Sequence, residues 1–312
     1  MGVQDLSKMI RKDKLVTNTS LKLLRLCSPL KDRIAIDISV VIVPHLSATA
    51  SAQSLLHSKP FLPVPSIAAK VVKFLRPLIE ADFLLFLVFD GATASIKHHE
   101  HLRRYGDKEE KLRRLDELYD NTIDGTRLLE KDDLEEVLKL RKGLLSLRPD
   151  IIFDIMEKVK SAYPDRVYFV GSPFEADHQL ASLFHQDVVD YIYTIDSDLT
   201  VCGTDVITNL SDNGSCWVAT YDHLMNSKLP KMFKTANSTP KVITYTDELL
   251  RHIACYLGND YIGRCHQNGV GTIGKNFIVK IANEDGTLKE SKVVEETIKE
   301  RCSKMHETFD QW

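Results

Sequence analysis

Carboxylate side chains follow four short apolar runs of the sequence, and their number and placement suit the binding of hard metal ions. The run 191–195 leads straight into Asp196, Ser197 and Asp198. Asp37 and Asp90 close two earlier runs, and Glu175 and Asp177 follow a third after a short turn. Six candidate ligands result: Asp37, Asp90, Glu175, Asp177, Asp196 and Asp198. Carboxylate oxygens bind Mg²⁺ or Mn²⁺ far better than they bind Zn²⁺ or Cu²⁺. Clustered carboxylates repel one another, so bound cations are expected to neutralise them.

The four apolar runs are predicted to be parallel strands that are covered on both faces. In an open parallel sheet, ligands bind at the carboxyl edge, so the six acids are expected to converge on one rim. Alternate residues of an extended backbone share a face, which predicts that Asp196 and Asp198 project together. An Asp after a strand is also a common helix cap, and SPFE at 172–175 fits a capping box. One such acid would mean little, but six favour a shared site.

The apolar runs alternate with helical patterns, which predicts an α/β fold with right-handed crossovers. A β-hairpin is predicted further on, from TDVITNL through SDNG into SCWVATYD. The predicted strands are 33–39, 83–90, 166–172 and 191–196, and the predicted helices include 66–81 and 173–186.

Two segments interrupt this alternation. Residues 105–147 are dense in charges of both signs and have helical periodicity, which predicts a helical insertion between two core strands. Residues 226–241 carry four lysines and no acid, which is compatible with a solvated loop or with contacts to a phosphate backbone.

The composition is that of a globular protein, with 312 residues, 43% of them hydrophobic, and a formal net charge of -3. No apolar run approaches the ~20 residues of a membrane helix, and the N-terminus lacks the apolar stretch of a signal peptide. We therefore expect an intracellular protein with no membrane association. Six cysteines without a C-x-x-C pair predict free thiols. Any basic surface for nucleic acid must be local.

The ordered set of acidic motifs resembles the flap endonuclease/XPG family of structure-specific 5′ nucleases. The motifs are IAIDIS, LVFDGA, SPFEADHQLA, TIDSDL and LGNDY, preceded by the opening MGVQDLSKMI and followed by GVGTIGKNFIVKI. The resemblance runs from Met1 to about residue 285. It implies a PIN-like, mostly parallel sheet flanked by helices, with a charged helical arch and a helix–two-turn–helix element.

The resemblance also implies a domain organisation. We expect the segments up to residue 285 to act as one catalytic domain, followed by a tail. The expected segments are an N-terminal nuclease region at 1–104, the arch at 105–150, an internal nuclease region at 151–246, the helix–two-turn–helix region at 247–285 and the tail at 286–312.

By its motifs, the chain is expected to hydrolyse phosphodiester bonds with two metal ions, as a 5′ flap endonuclease or a 5′–3′ exonuclease. Asp260, unremarkable alone, becomes a seventh metal ligand, and Lys97 and Arg104 become catalytic. Those two basic residues are seven apart, so they share one face of a helix. One Mg²⁺ or Mn²⁺ would be held mainly by Asp37, Asp90, Glu175 and Asp177, and the other mainly by Asp196, Asp198 and Asp260.

The expected partner is DNA with a 5′ flap or a free 5′ end, bound by a monomeric, nuclear protein in replication or repair. Nothing near residue 312 resembles a sliding-clamp motif. The hairpin could hold a K⁺ ion. Expected DNA-binding residues are Gly2, Gly269, Gly271, Gly274 and Lys275.

Departures from the family pattern leave alternatives open. Asp177 stands where the family usually has Glu, and Val43 stands where an aromatic residue commonly stacks on the substrate base, with His45 nearby as a substitute. Asn259 replaces a usual Ser. The alternatives are an RNA-directed 5′ nuclease of the same superfamily and a non-catalytic nucleic-acid-binding scaffold with the nuclease fold.

Overall fold

A computed structural model defines the fold over most of the chain. It describes residues 15–27, 32–49, 64–92, 97–123, 131–145, 147, 149–225 and 247–257, with isolated positions at 281, 288–290, 292–294 and 296. Among these residues, no helix has the length and apolar character that crossing a bilayer requires. Three described cysteines, Cys27, Cys202 and Cys216, are free thiols, as the sequence predicts.

Seven strands form a mixed sheet that is flanked by helices, which confirms the predicted fold class. The strands are β1 (Thr17–Ser20), β2 (Arg33–Asp37), β3 (Leu84–Phe89), β4 (Val167–Gly171), β5 (Tyr191–Tyr193), β6 (Val206–Thr208) and β7 (Ser215–Ala219). The pairs β3–β4 and β5–β6 are parallel, whereas β7 runs antiparallel to both β1 and β6.

Ten helices accompany these strands in the described part of the chain. They are α1 (Leu21–Cys27), α2 (Ile38–Thr49), α3 (Val64–Glu80), α4 (His98–Ile123), α5 (Lys131–Leu144), α6 (Pro149–Ala162), α7 (Ala176–His185), α8 (Asp198–Val201), α9 (Tyr221–Met225) and α10 (Asp247–Leu257).

The chain divides into two compact units: the first comprises Met1–Ile34 and Asp177–Trp312, and the second comprises Ala35–Ala176. The segment boundaries expected from the motifs stay predictions. In the second unit, α3 buries Ile67, Val71 and Leu75 and packs against α2 and α6. The strands β3 and β4 carry the apolar core of this unit, because Leu85, Leu87 and Val167 are almost fully buried.

The charged insertion is a pair of helices, as predicted. Leu115 and Leu118 of α4 pack against Val137 of α5 in a small apolar core. Arg114 donates two hydrogen bonds to the Glu136 carboxylate, 2.8 Å from Nε to Oε1 and 3.1 Å from Nη2 to Oε2. Helix α4 begins at His98, earlier than the predicted 105, so the arch continues directly from the segment that carries Lys97.

In the first unit, β6 and β7 form the predicted hairpin. Its turn closes with Gly214 at a φ of 77°, a left-handed conformation that favours glycine. Ser211 Oγ and the Gly214 N–H take part in the hydrogen bonds that hold the turn.

Asp205, just before β6, links the hairpin to α9 and makes stability depend on pH. Its Oδ1 accepts a hydrogen bond from the Tyr221 N–H at 2.8 Å, and burial raises the pKa of this carboxyl. The folded state binds this proton more tightly than the unfolded state does. The free energy of unfolding therefore falls as the pH rises from the unfolded pKa of Asp205 through its raised folded pKa. We expect Asp205→Asn, which keeps the acceptor, to raise the melting temperature at pH 7. That gain should vanish below about pH 4, and an equal gain at both pH values would contradict the account.

Candidate functional site

One group of acids lies in the second unit, where β2 and β3 end. Asp37 is the last residue of β2 and is buried, and its Oδ1 accepts a hydrogen bond from the Ser39 N–H at 3.0 Å. The Ser39 hydroxyl donates to Asp90 Oδ2 at 3.2 Å. Ser39 therefore joins the two carboxylates. The sequence interpretation missed this residue, although it is the closing Ser of the IAIDIS motif.

The bond from Ser39 also explains why β2 ends at Asp37 and not at the predicted residue 39. Helix α2 begins at Ile38, and the first N–H groups of a helix have no partner inside it. Asp37 accepts a hydrogen bond from one of them and so caps the helix, in addition to its predicted place among the metal-binding acids.

The segment from Ser172 to Ala176, which we call the 172–176 turn, is locked onto the end of β3. The Gly91 N–H donates to Phe174 O at 2.5 Å, and the Ala92 N–H donates to Pro173 O at 3.2 Å. Asp90 Oδ1 accepts from the Ala176 N–H at 2.9 Å. These bonds fix the backbone on both sides of Glu175.

The predicted capping box at 172–175 is wrong in its details. Helix α7 begins at Ala176, so Pro173 and Glu175 precede the helix. The Ser172 hydroxyl instead donates to Glu175 O at 2.8 Å and accepts from the Phe174 N–H at 3.3 Å. The cap of α7 comes from Asp90, 86 residues away, which frees the Glu175 carboxylate for another partner.

That partner is Lys97. Its side chain is 8% exposed, and its Nζ lies 2.5 Å from Glu175 Oε2, whose side chain is 16% exposed. The second predicted catalytic residue, Arg104, lies seven residues further on, inside α4, where it is half-buried. The structure thus brings Lys97 to Glu175 and places Arg104 on α4.

Removing the charge of Lys97 is expected to destabilise the fold. Lys97→Met keeps the apolar stem but removes the cation that faces the poorly exposed Glu175 carboxylate. We expect the free energy of unfolding to fall by about 1–3 kcal/mol. Urea denaturation of Lys97→Met, Glu175→Gln and the double variant measures the coupling, and the double variant should regain most of the loss. Strictly additive losses would show that the ion pair contributes no coupling.

The other acids form a group within the first unit. One carboxylate oxygen each from Asp177, Asp196 and Asp198 lies within 4.8 Å of the other two, and all three residues are half-buried. Asp177 sits in the first turn of α7, and Asp198 is the first residue of α8. The Asp196 N–H donates to the hydroxyl of the fully buried Thr194 at 3.1 Å, which anchors the loop between β5 and α8.

Asp196 and Asp198 come together for a different reason from the predicted one. Strand β5 ends at Tyr193, and Ser197 has helical backbone angles of φ -85° and ψ -10°. The two acids therefore do not alternate along an extended strand. Instead, the Asp198 N–H donates to Asp196 Oδ1 at 3.2 Å, and this turn sets the pair side by side.

The grouping of Asp177 also differs from the expected division of ligands. The motifs assign it mainly to the ion of Asp37, Asp90 and Glu175, but the structure brings it to Asp196 and Asp198. Its short side chain reaches these two acids because the first turn of α7 presents it to them.

The donor set of this group fits a divalent cation. Three carboxylate oxygens at such short separations repel one another, and a hard ion bound between them offsets that repulsion. Within the described part of the chain, the group includes no nitrogen or sulfur ligand of the kind that favours Zn²⁺.

The remaining predicted site residues lie outside the described part of the chain. They are Gly2, Asp260, Gly269, Gly271, Gly274 and Lys275. Their roles stay predictions, and so does the expectation that all seven acids act in one reaction.

Val43 occupies the position where the family commonly has a stacking aromatic residue. It lies on α2, and 49% of it is exposed. The ring of His45 instead lies edge-on to Phe74, with 6.4 Å between centroids. Burial and the nearby Lys70 lower the pKa of His45. His45 therefore has a packing role within its own unit.

Comparisons with known proteins agree with this architecture. A family model described as the XPG I-region matches residues 166–260, which include Glu175, Asp177, Asp196 and Asp198. Exodeoxyribonuclease 1 of Saccharomyces cerevisiae is 26% identical over 205 residues, which are 65% of this chain and 25% of the yeast protein. Exonuclease 1 of Danio rerio is 25% identical over 247 residues, 78% of this chain and 27% of the fish protein.

Solved structures share the fold. The catalytic core of Rad2 in complex with DNA substrate has a TM-score of 0.59 at 17% identity, covering 89% of this chain and 69% of that chain. Flap endonuclease-1 from Methanococcus jannaschii has a TM-score of 0.56 at 18% identity, and the match covers 96% of this chain and 80% of that chain.

The family model, the sequence relatives and the solved structures agree with the resemblance of the chain to the flap endonuclease/XPG family, and the solved structures share its fold. The chain spans about a quarter of the length of the yeast and fish exonucleases and 53% of the yeast DNA damage-inducible protein DIN7.

Proposed function

We propose that the chain is a divalent-metal-dependent 5′ nuclease that hydrolyses phosphodiester bonds in DNA. The observation that carries this proposal is the close group of Asp177, Asp196 and Asp198, whose oxygens lie within 4.8 Å of one another. A second acid group at Asp37, Asp90 and Glu175, with Lys97 beside it, supports a reaction that uses two ions.

Each group has a distinct part in this proposal. Asp177, Asp196 and Asp198, joined by Asp260, would hold one Mg²⁺ or Mn²⁺, and Asp37, Asp90 and Glu175 would hold the other. Bound divalent ions supply Lewis-acid stabilisation of the phosphate and an activated water. Lys97 would balance negative charge on the phosphate, and Arg104 would add to it from α4.

The names of the curated relatives favour an exonuclease within this class, and the motif resemblance supplies the 5′–3′ direction. Both compared enzymes are named as exonucleases, whereas one solved neighbour is named as a flap endonuclease. We therefore expect stepwise removal of nucleotides from a 5′ end, with flap cleavage as a second activity of the same residues.

The product pattern tests the proposal and separates these activities. A 5′-flap duplex labelled within the duplex strand is incubated with the protein and Mg²⁺. A ladder that shortens from the 5′ end indicates exonuclease, and a single product at the junction indicates endonuclease. No product with Mg²⁺ or Mn²⁺ on flap, blunt and recessed ends would refute the proposal.

The alternatives make different predictions in the same assay. An RNA-directed nuclease would cut a matched RNA flap faster than the DNA flap. A non-catalytic scaffold would bind the flap duplex without cutting it, and its melting temperature would not respond to Mg²⁺.

The motifs support three further parts of the proposal. The hairpin at 269–276, outside the described residues, would hold a K⁺ ion and contact the DNA backbone through Gly269, Gly271, Gly274 and Lys275. Gly2 would contact DNA near the start of the chain. We expect the protein to act as a monomer in the nucleus, where replication and repair take place.

A further inference from the structure

An exposed aromatic residue, Phe174, lies in the 172–176 turn and precedes Glu175 of the acid group of the second unit. Phe174 is 53% exposed, and its neighbour Glu175 makes the contact with Lys97. Single exposed apolar residues are common on protein surfaces. Phe174 differs from an ordinary exposed residue in how firmly its backbone is held and in what surrounds it.

The backbone of Phe174 is fixed at both of its polar groups. Its carbonyl accepts from the Gly91 N–H at 2.5 Å, and its N–H donates to the Ser172 hydroxyl at 3.3 Å. The turn therefore cannot move to bury the ring without breaking the bonds that also place Glu175. A rigid aromatic surface loses little conformational freedom when a ligand covers it.

The surroundings of Phe174 indicate which ligand would cover it. The carboxylates of Glu175 and Asp90, through the proposed metal ions, attract phosphate and not a second apolar protein surface. A phosphodiester held by these groups carries nucleobases, which are flat and aromatic. Base-on-aromatic stacking is the usual way in which proteins hold single-stranded bases without reading their sequence.

We propose that Phe174 stacks on a nucleobase next to the scissile phosphate and so positions the substrate strand. This inference rests on the proposed nuclease function and identifies a base-stacking subsite in it. The subsite takes an unpaired base of either purine or pyrimidine type, because every base presents a stacking face.

The first test combines protein variants with abasic substrates. Phe174→Ala should lower kcat/KM on a 5′-flap DNA by roughly 10- to 100-fold, while Phe174→Trp should match or exceed wild type. Phe153→Ala, which removes an aromatic residue of 59% exposure from α6, is the matched control and should leave kcat/KM unchanged. Removing single bases near the cleaved bond should identify one position at which wild type and Phe174→Ala become equal.

A spectroscopic test does not depend on cleavage. 2-Aminopurine placed in turn at each base near the flap junction should lose fluorescence at one position on binding to the wild-type protein, and the loss should disappear with Phe174→Ala. If the protein cuts DNA but Phe174→Ala behaves like Phe153→Ala on every substrate, the stacking proposal is wrong and the nuclease proposal stands. If the protein cuts no DNA but the quenching depends on Phe174, the nuclease proposal is wrong and the subsite stands.

Discussion

Asp196→Asn is expected to lower the rate of DNA cleavage by roughly a thousandfold, equivalent to about 4 kcal/mol of transition-state stabilisation. The substitution removes one of three negative charges that lie within 4.8 Å of one another. It keeps the side-chain oxygen that accepts from the Asp198 N–H, so the turn should stay intact. Cleavage of a labelled flap duplex over a Mg²⁺ titration measures the change in rate and in metal dependence.

A second readout separates loss of metal binding from loss of folding. Without metal, Asp196→Asn should melt at a higher temperature than wild type, because two remaining carboxylates repel less than three. Added Mg²⁺ should raise the melting temperature of wild type more than that of the variant, since binding to the native state stabilises it. Asp165→Asn, at an exposed turn, makes the same change in net charge and should alter neither readout. Full cleavage by Asp196→Asn with unchanged Mg²⁺ dependence would refute the role of this acid group.

Gly91→Ala is expected to destabilise the second unit strongly, because the added Cβ has no room. A Cβ at this position would collide with Ser172 O, and it would lie 2.9 Å from Pro173 C and 3.0 Å from Phe174 O. All three are backbone atoms of the 172–176 turn, so no side-chain rotation relieves the contact. We expect the free energy of unfolding to fall by about 2–3 kcal/mol. Chemical denaturation measures this loss.

The same substitution should impair cleavage, because the displaced turn carries Glu175 and Phe174. A shift of about 1 Å in positioned groups costs up to roughly a hundredfold in rate. Gly106→Ala in α4 is the control, since its added Cβ meets no atom within 4 Å. Alanine also favours the helix by up to about 1 kcal/mol, so this variant should be slightly more stable than wild type. Equal stability of Gly91→Ala and wild type would show that the turn accommodates a Cβ.

Much of the fold could be predicted because its signals are local. The apolar runs at 83–90 and 166–172 became β3 and β4 within one residue at each end. The charge-rich periodicity of 105–147 predicted the helix pair α4 and α5. In each case the residues that decide the structure are sequence neighbours, so backbone geometry converts the pattern directly into a strand or a helix.

The starts of helices were predicted less well, because their caps come from distant residues. Asp90 caps α7 across 86 positions of sequence, so the SPFE pattern alone pointed to a different start. The end of β5 was missed for a local reason: the run through 191–196 looked like one strand, but the Asp198 N–H donates to Asp196 Oδ1 two residues away and the chain turns there. A propensity pattern contains no information about which side-chain hydrogen bonds end a strand or begin a helix.

By itself, the sequence determined which residues are acidic, that they follow buried strands, and that an all-oxygen set favours a hard cation. Only the tertiary structure decided that Ser39 joins Asp37 to Asp90, that Lys97 faces Glu175, and that Asp177 sits with Asp196 and Asp198. The physical reason is that distances between remote side chains depend on strand pairing and helix packing. A change of one residue in register or one turn of a helix would move each contact by several ångströms.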